Sequence, residues 1–288
     1  MKCLVAGGEG QLGRALQAAA PPEAEIHAPA RALCDITDAA ALAAWFGKIR
    51  PAVVFNAAAY TAVDAAESDE AAAERVNAEG AGLLARMCAE HGARLVHVST
   101  DFVFDGRAGT PYAPDDAPNP LNAYGRTKLK GEEAVASAAP GALVVRTAWV
   151  YAARGRNFVH TMLRVMRERG EVRVVADQIG TPTHARNLAR ALWDLSGRGA
   201  SGCYHFTDSG VASWYDFAAA IAEEAAAAGL LKSRAAVVPI ASRDYPAPAR
   251  RPPFSVLDKS KTWAALGTTG QHWREALREM LREMDHDG

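Results

Sequence analysis

The chain is poor in cysteine, and what it has is badly placed for a metal. Cys3, Cys34, Cys88 and Cys203 are scattered over 288 residues. There is no CxxC pair and no Cys/His cluster, which argues against a zinc site and against a disulfide framework. Isolated cysteines of this kind are usually buried free thiols that pack as small hydrophobes. An excess of charge of one sign is also lacking. Thirty-two basic against 33 acidic side chains leave a net charge of -1, so no basic field gathers nucleic acid. No apolar run approaches the roughly 18 residues that mark a membrane span. The amino terminus, MKCLVAGG, reads as a strand and not as a signal peptide with a cleavage site. The expectation is a soluble, cytoplasmic protein with no nucleic-acid or membrane partner.

What is present is an ordinary globular composition, with 49% hydrophobic and 23% charged residues. The length suits one large α/β unit, or a main domain with a smaller partner. Alanine is so frequent that alanine runs carry little information about helices. In the first half, apolar strands (3–6, 25–27, 53–56, 94–99 and 143–147) alternate with helical stretches (12–20, 39–49, 71–91 and 121–138). That alternation predicts a parallel sheet with helices on both faces. Runs such as PAVVFN and ARLVHVS are continuously apolar, as strands buried on both faces must be. The second half predicts helices over 157–169, 184–196, 214–228 and 272–284, with short strands at 172–175, 202–206 and 236–239. The proline-rich stretch from Tyr245 to Phe254 predicts an extended loop, because each proline fixes φ and removes a donor. The expected fold class is therefore α/β. A Rossmann-type doubly wound parallel sheet over about residues 1–150 would be followed by a smaller α/β substrate domain over 151–288, with later segments returning to the first.

Gly7, Gly10 and Gly13 in GGEGQLG directly follow the first strand and open a helix. In that context one glycine allows the tight turn, one lets backbone approach a pyrophosphate, and one lets helix pack on strand. The pyrophosphate would rest on helix N–H groups at the positive end of the dipole. A glycine turn alone is weak evidence; its place in the first βα unit is what points to a dinucleotide. The acidic residue usual after the second strand is missing. Arg31 stands near that position and reads either as a partner for a 2′-phosphate, hence NADPH, or as a solvated loop arginine. Asp35 reads either as an adenine contact or as a cap for the next helix.

Tyr124 and Lys128 in NAYGRTKLKGE are four residues apart, so on a helix they share a face. A phenol is a poor acid–base group at neutral pH, and a nearby ammonium is expected to draw its pKa down. Taken alone, the pair reads equally as two residues of an exposed helix. Ser99, Thr100 and Asp101 end a strongly apolar strand, at the sheet edge where ligands of doubly wound folds bind. A hydroxyl there can meet the tyrosine or a substrate carbonyl; the alternative is turn chemistry. A glycine turn, a strand-end hydroxyl and the Tyr/Lys pair together point to a nicotinamide-dependent reductase.

These residues sit within longer motifs: GEGQLG, LCDITD, PAVVFNAAAYTAVDAAE, VHVSTDFVFDG, PLNAYGRTKLKGE, RTAWVYAARGRNF, DQIGTPT and RPPFSVLDKSK. Through them the chain resembles the extended short-chain dehydrogenases/reductases and, more narrowly, the dTDP-4-dehydrorhamnose reductase family. The motifs span nearly the whole chain, and NAAAYTAVDAAE and STDFVFDG are much more specific than the glycine turn. The resemblance implies reduction of the 4-keto group of dTDP-4-dehydro-L-rhamnose to dTDP-L-rhamnose with NADPH, NADH being the alternative. It implies Tyr124 as proton donor, Lys128 as the group that tunes it, and Thr100 as the assisting hydroxyl. Thr100, Asp101 and Trp149 would meet the sugar, although a lone Trp after a strand is more often core. Gly7, Gly10, Gln11 and Leu12 would hold the pyrophosphate. Arg31, Asp35 and Ile36 would lie at the adenosine end, and Ala59, Tyr60 and Thr61 would line the cofactor cleft. Asn157 reads as a nucleotide contact or a helix cap, and Arg250 and Arg251 as diphosphate or surface-carboxylate partners.

Some members of this family form dimers around a magnesium site built from glutamates. Here Arg186 stands where a glutamate ligand is needed, and arginine offers no oxygen. No metal is therefore expected, and a homodimer of another kind is left open. Glu275, Glu279 and Glu283 form an i, i+4 row beside Arg274, Arg278 and Arg282, which a salt-bridged helix face explains. Two other readings remain: a reductase of a different nucleotide-linked 4-keto-6-deoxyhexose, and a non-catalytic NADP-binding regulatory subunit of the same fold.

Overall fold

The computed structural model describes residues 1–285; the last three residues of the expected second domain lie outside the described residues. The chain opens with β1 (Lys2–Ala6), α1 (Gln11–Ala18), β2 (Glu25–His27), α2 (Ala39–Ile49) and β3 (Val53–Asn56). It continues through α3 (Val63–Ala66), α4 (Glu70–Glu74), α5 (Ala81–Glu90), β4 (Arg94–Thr100), α6 (Ala123–Ala138) and β5 (Leu143–Thr147). Next come β6 (Val150–Tyr151), α7 (Phe158–Arg169), β7 (Glu171–Val175), β8 (Ile179–Gly180), β9 (Thr183–His184) and α8 (Ala185–Gly197). The last elements are β10 (Gly202–His205), β11 (Ala212–Ser213), α9 (Trp214–Ala227), β12 (Ala236–Ile240), α10 (Ser260–Leu266) and α11 (Trp273–Asp285).

Six strands form one parallel sheet in the order β2-β1-β3-β4-β5-β10. Every residue of β3 and β5 is buried, so VVF and LVV read as apolar runs, while the buried Arg146 of β5 is held by Glu132 (2.7 Å). One face is covered by α2, α5 and α6, whose Leu42, Phe46, Leu84 and Val135 pack over Leu4, Val54 and Leu95. The other is covered by α1 and α8, whose Leu16, Leu188 and Leu192 pack over Val5, Phe55 and Val145. Each such side chain contributes about 1.5–3 kcal/mol on burial. The strand order reverses between β1 and β3, and in open α/β sheets that reversal leaves a crevice at the carboxyl ends of the strands.

The sixth strand, β10, arrives from beyond residue 200, so the main sheet draws on two stretches of chain. A second core gathers Tyr151, Val159, Leu163, Phe217, Trp273 and Leu277 beside the β7–β12 pair. Pro239 is tolerated in β12 because that strand belongs to a two-stranded sheet with an open edge.

The helix predicted over 71–91 is interrupted by a π-helical turn at Arg75–Gly80. Asn77, 1% exposed, explains it. Its amide accepts from Tyr60 N (2.8 Å), donates to Tyr60 O (3.1 Å) and donates to Thr127 Oγ1 (3.1 Å). The wider turn brings Asn77 against α6, where only Gly131 leaves room: a Cβ there would sit 2.0 Å from Asn77 O. The last helix also differs from expectation. Its charges pair with other helices, because i, i+4 partners on one exposed face gain less than partners across a packed interface. Arg274 and Arg278 bind Glu224 of α9 (2.9 and 2.7 Å), while Glu279 and Glu283 both hold the guanidinium of Arg186.

Candidate active site

A cleft of about 690 Å³ opens at the carboxyl ends of β1, β3, β4 and β5. The glycine turn forms its floor. Gly7 has φ +79°, and a Cβ on it would meet Ala58 N at 2.7 Å; a Cβ on Gly13 would meet Gly7 O at 2.2 Å. These two glycines close the turn and seat the helix. Gly10 caps α1 and lines the cleft with Gln11 and Leu12. The turn thus presents backbone and a helix amino end, with no acidic residue in the first turn of α1.

Ala59 and Thr61 line the wall that follows β3. Tyr60 instead packs beside Ala66, Ala73, Ala123 and Tyr124, its backbone clamped by Asn77. Arg31, Asp35 and Ile36 lie outside the cleft lining. Arg31 is exposed and binds Asp35 (3.0 Å), whose other oxygen accepts from Thr37 N (2.9 Å). Ile36 is buried in the core at Gly80.

Thr100 and Asp101 end β4 and face the cleft. Thr100 Oγ1 donates to Asp101 Oδ1 (3.1 Å) and accepts from Phe102 N (3.2 Å). The first turn of α6 rests on this bend, and a Cβ on Gly125 would lie 2.2 Å from Phe102 O. That contact sets Tyr124 beside Thr100. Burial pushes the Tyr124 phenol up to about 12; the Thr100 hydroxyl pulls it back and the Asp101 carboxyl adds to the rise. Burial pushes Lys128 down to about 8, with Glu132 opposing. Burial lifts Asp101 to about 7 against hydrogen bonds from Ser255 and Thr100. The phenol is therefore raised where the spacing predicts a lowering, because burial dominates. The Lys128 ammonium is itself weakened by burial and donates to Val98 O (2.7 Å). A phenol raised this far keeps its proton at neutral pH.

Trp149 is half-buried: it packs on the edge of the second core and also lines the cleft. Its backbone takes φ +48°, rare for a bulky side chain. Its ring stacks on Trp214 with centroids 3.6 Å apart and planes 9° from parallel. Gly180 makes this possible, since a Cβ there would touch the Trp149 ring at 2.8 Å. Trp214 and Arg251 line both this cleft and a second cavity of about 740 Å³. That cavity is walled by Phe158, Met162 and the proline-rich segment, with Arg173, Arg243 and Arg250 on its rim.

Trp214 and Arg156 carried no sequence signal of their own, whereas Asn157 and Arg251 take the cap and carboxylate roles the sequence offered. Trp214 looked like an ordinary helix start. Arg156 lines the cleft because Gln11 reaches across to it (Nε2 to Arg156 O, 3.3 Å). Asn157 caps α7 through His160 N (3.1 Å) and also donates to Gln11 Oε1 (2.8 Å). Arg251 pairs with Asp64 (2.8 Å). Ser99 Oγ and Thr147 Oγ1 are buried, line the cleft and have no protein partner among the described residues. Unpaired buried hydroxyls are costly unless a ligand satisfies them. The glycine cradle, the α1 amino end and these hydroxyls fit a bound dinucleotide.

Comparison with known proteins agrees with this geometry. The family model described as RmlD substrate binding domain matches residues 1–286. A dTDP-4-dehydrorhamnose reductase of Burkholderia thailandensis is 44% identical, covering 99% of each chain. One from Mycobacterium tuberculosis is 45% identical, over 97% of this chain and 92% of the relative. Among solved structures, a dTDP-4-dehydrorhamnose reductase from Clostridium acetobutylicum superposes with a TM-score of 0.93 at 38% identity, covering 99% of this chain and all of that one (100%). The Bacillus anthracis enzyme, solved in complex with NADP, gives 0.92 at 35% identity over 98% of this chain and 99% of that one. By sequence and by fold, the chain belongs to the dTDP-4-dehydrorhamnose reductase family.

Proposed function

We propose that this protein reduces the 4-keto group of dTDP-4-dehydro-L-rhamnose to give dTDP-L-rhamnose, with NADPH as the reductant. The observation that carries the reading is a protonated phenol, Tyr124, set beside the Thr100 hydroxyl in a cleft floored by a dinucleotide turn. NADPH, when bound, supplies the hydride that the sugar C4 accepts. Gly10, Gln11, Leu12 and the α1 amino end receive the pyrophosphate, and Lys128 is placed to hold a ribose hydroxyl. Arg31, tethered by Asp35, favours the 2′-phosphate of NADPH. Tyr124 delivers its proton to the C4 oxygen while Thr100 steadies the charge developing there. Asp101 and Trp149 hold the sugar. The second cavity takes the nucleotide end, its arginines meeting the diphosphate. The four unpaired cysteines suit a reducing compartment, the cytoplasm.

A neighbouring reading has one observation in its favour. A Streptomyces antibioticus relative, 42% identical, is named a probable 4-ketoreductase of dTDP-4,6-dihydroxy-2-methyloxan-3-one. Product analysis by NMR with different nucleotide-linked ketosugars separates the two. The test of the main reading is NADPH oxidation on addition of dTDP-4-dehydro-L-rhamnose made in situ. Tyr124→Phe is expected to lower turnover by roughly 10²–10⁴-fold, the usual worth of a general acid, with NADPH affinity kept. Full activity in that variant sinks the mechanism; NADPH binding without turnover by the unaltered protein favours the regulatory reading.

A further inference from the structure

The segment Tyr245–Arg251 walls the second cavity, and it is fastened to the helix that carries Tyr124. Asn122, 1% exposed, makes the connection with both ends of one amide. Its Oδ1 accepts from Gly125 N (2.8 Å) and so caps α6; its Nδ2 donates to Arg250 O (2.8 Å). A second tie lies alongside. Asp64 accepts from Ala249 N (3.2 Å) and from Arg251 (2.8 Å). Ala249 is buried, whereas Tyr245 at the other end of the segment is 59% exposed. The wall is therefore pinned at its Ala249–Arg251 end, next to the reacting groups.

An N-cap needs only an acceptor, and serine or aspartate supplies one as well as asparagine does. Those residues have no donor that reaches a second carbonyl from the same position. The additional work of Asn122 is to hold Arg250, and Tyr124 follows it by two residues. We infer that Asn122 is a positioning residue: it latches the wall of the nucleotide cavity to the first turn of α6, so that a substrate anchored by its nucleotide places its ketone in register with Tyr124. This rests on the reading of the second cavity as the nucleotide site. Catalytic geometry is sensitive to small displacements, so a loosened latch reduces turnover without removing any group that touches the reacting atoms.

Asn122→Ser separates the two roles, because it keeps a cap while its shorter hydroxyl falls short of Arg250 O. In the latch reading, the dissociation constant of dTDP, measured by calorimetry with NADPH present, rises about three- to tenfold, the range of one hydrogen bond. Turnover of the dTDP-ketosugar falls as well, while NADPH affinity and melting temperature stay at the unaltered values. Asn122→Ala, which loses cap and latch together, adds a fall in melting temperature that the serine variant lacks. Unchanged dTDP affinity in Asn122→Ser overturns the proposal. So does a parallel loss of NADPH affinity and thermal stability, which marks a failed helix cap and not a latch. If the unaltered protein itself binds no dTDP, the nucleotide reading of the cavity falls, and the inference with it.

Discussion

Replacing Gly131 by alanine tests how the catalytic helix is held. In the middle of a helix, glycine to alanine ordinarily gains about 0.5–1 kcal/mol. Gly47, in α2, has nothing within 4 Å of an added Cβ, and Gly47→Ala is expected to show that gain. At Gly131 the same methyl would lie 2.0 Å from the carbonyl oxygen of Asn77. That oxygen is backbone and cannot rotate away, so α6 must retreat from the π-helical turn. Overpacking of this kind costs about 1–3 kcal/mol. The retreat also stretches the Asn77–Thr127 bond, worth about 1 kcal/mol. The sum is a destabilisation of roughly 2–4 kcal/mol. At about 2–4 °C per kcal/mol for a chain of this size, the melting temperature drops by roughly 4–16 °C. Urea denaturation of Gly131→Ala and Gly47→Ala side by side reads the difference. Turnover falls in the first only, because Tyr124 and Lys128 ride on the displaced helix. A Gly131→Ala protein as stable as Gly47→Ala would refute the claim that this contact sets the helix spacing.

Two further outcomes follow from charge. Lys128 sits near pKa 8, below its ordinary 10.5, so its ammonium is lost as pH rises through about 8, and the reductase rate should decline there while the Tyr124 phenol stays protonated. The stability sign is opposite: between about 8 and 10.5 the unfolded chain binds the extra proton, so this group makes the fold more stable as pH rises through that window. Lys128→Met should abolish the activity limb yet melt higher than the unaltered protein at pH 7; a lower melting temperature there contradicts the burial cost. Arg31→Ala should raise the KM for NADPH and leave that for NADH nearly unchanged, and equal effects on both cofactors would remove Arg31 from the 2′-phosphate.

The sheet was legible because parallel strands buried on both faces leave apolar runs, as VVF and LVV do. The glycine turn and the Tyr124/Lys128 spacing were legible because local backbone geometry demands those residue types at those intervals. The π-helical turn was not, since it depends on Asn77 reaching Tyr60 and Thr127, contacts 17 and 50 residues away in sequence. Trp214 and Arg156 were equally hidden: each reaches the cleft beside a partner far along the chain, Trp149 and Gln11. The phenol's pKa was missed in direction because burial, which no spacing reveals, raises it. The pairing of Arg186 with Glu279 and Glu283 shows the same limit, since helix-face patterns say which charges are near in sequence and not which helix will meet them.

The stacked Trp149 and Trp214 give the site its own optical signal. Two indoles 3.6 Å apart and almost parallel couple their excited states, so their circular dichroism belongs to the pair and vanishes when either ring tilts. Both rings line the cleft, where their emission overlaps the absorption of a reduced nicotinamide. In the proposed reading, NADPH in the cleft should quench the pair by energy transfer, and a sugar seated against Trp149 should change the exciton band; tryptophan fluorescence and circular dichroism titrations check both. Cofactor and substrate arrival can thus be followed separately, without a label, in the unaltered protein.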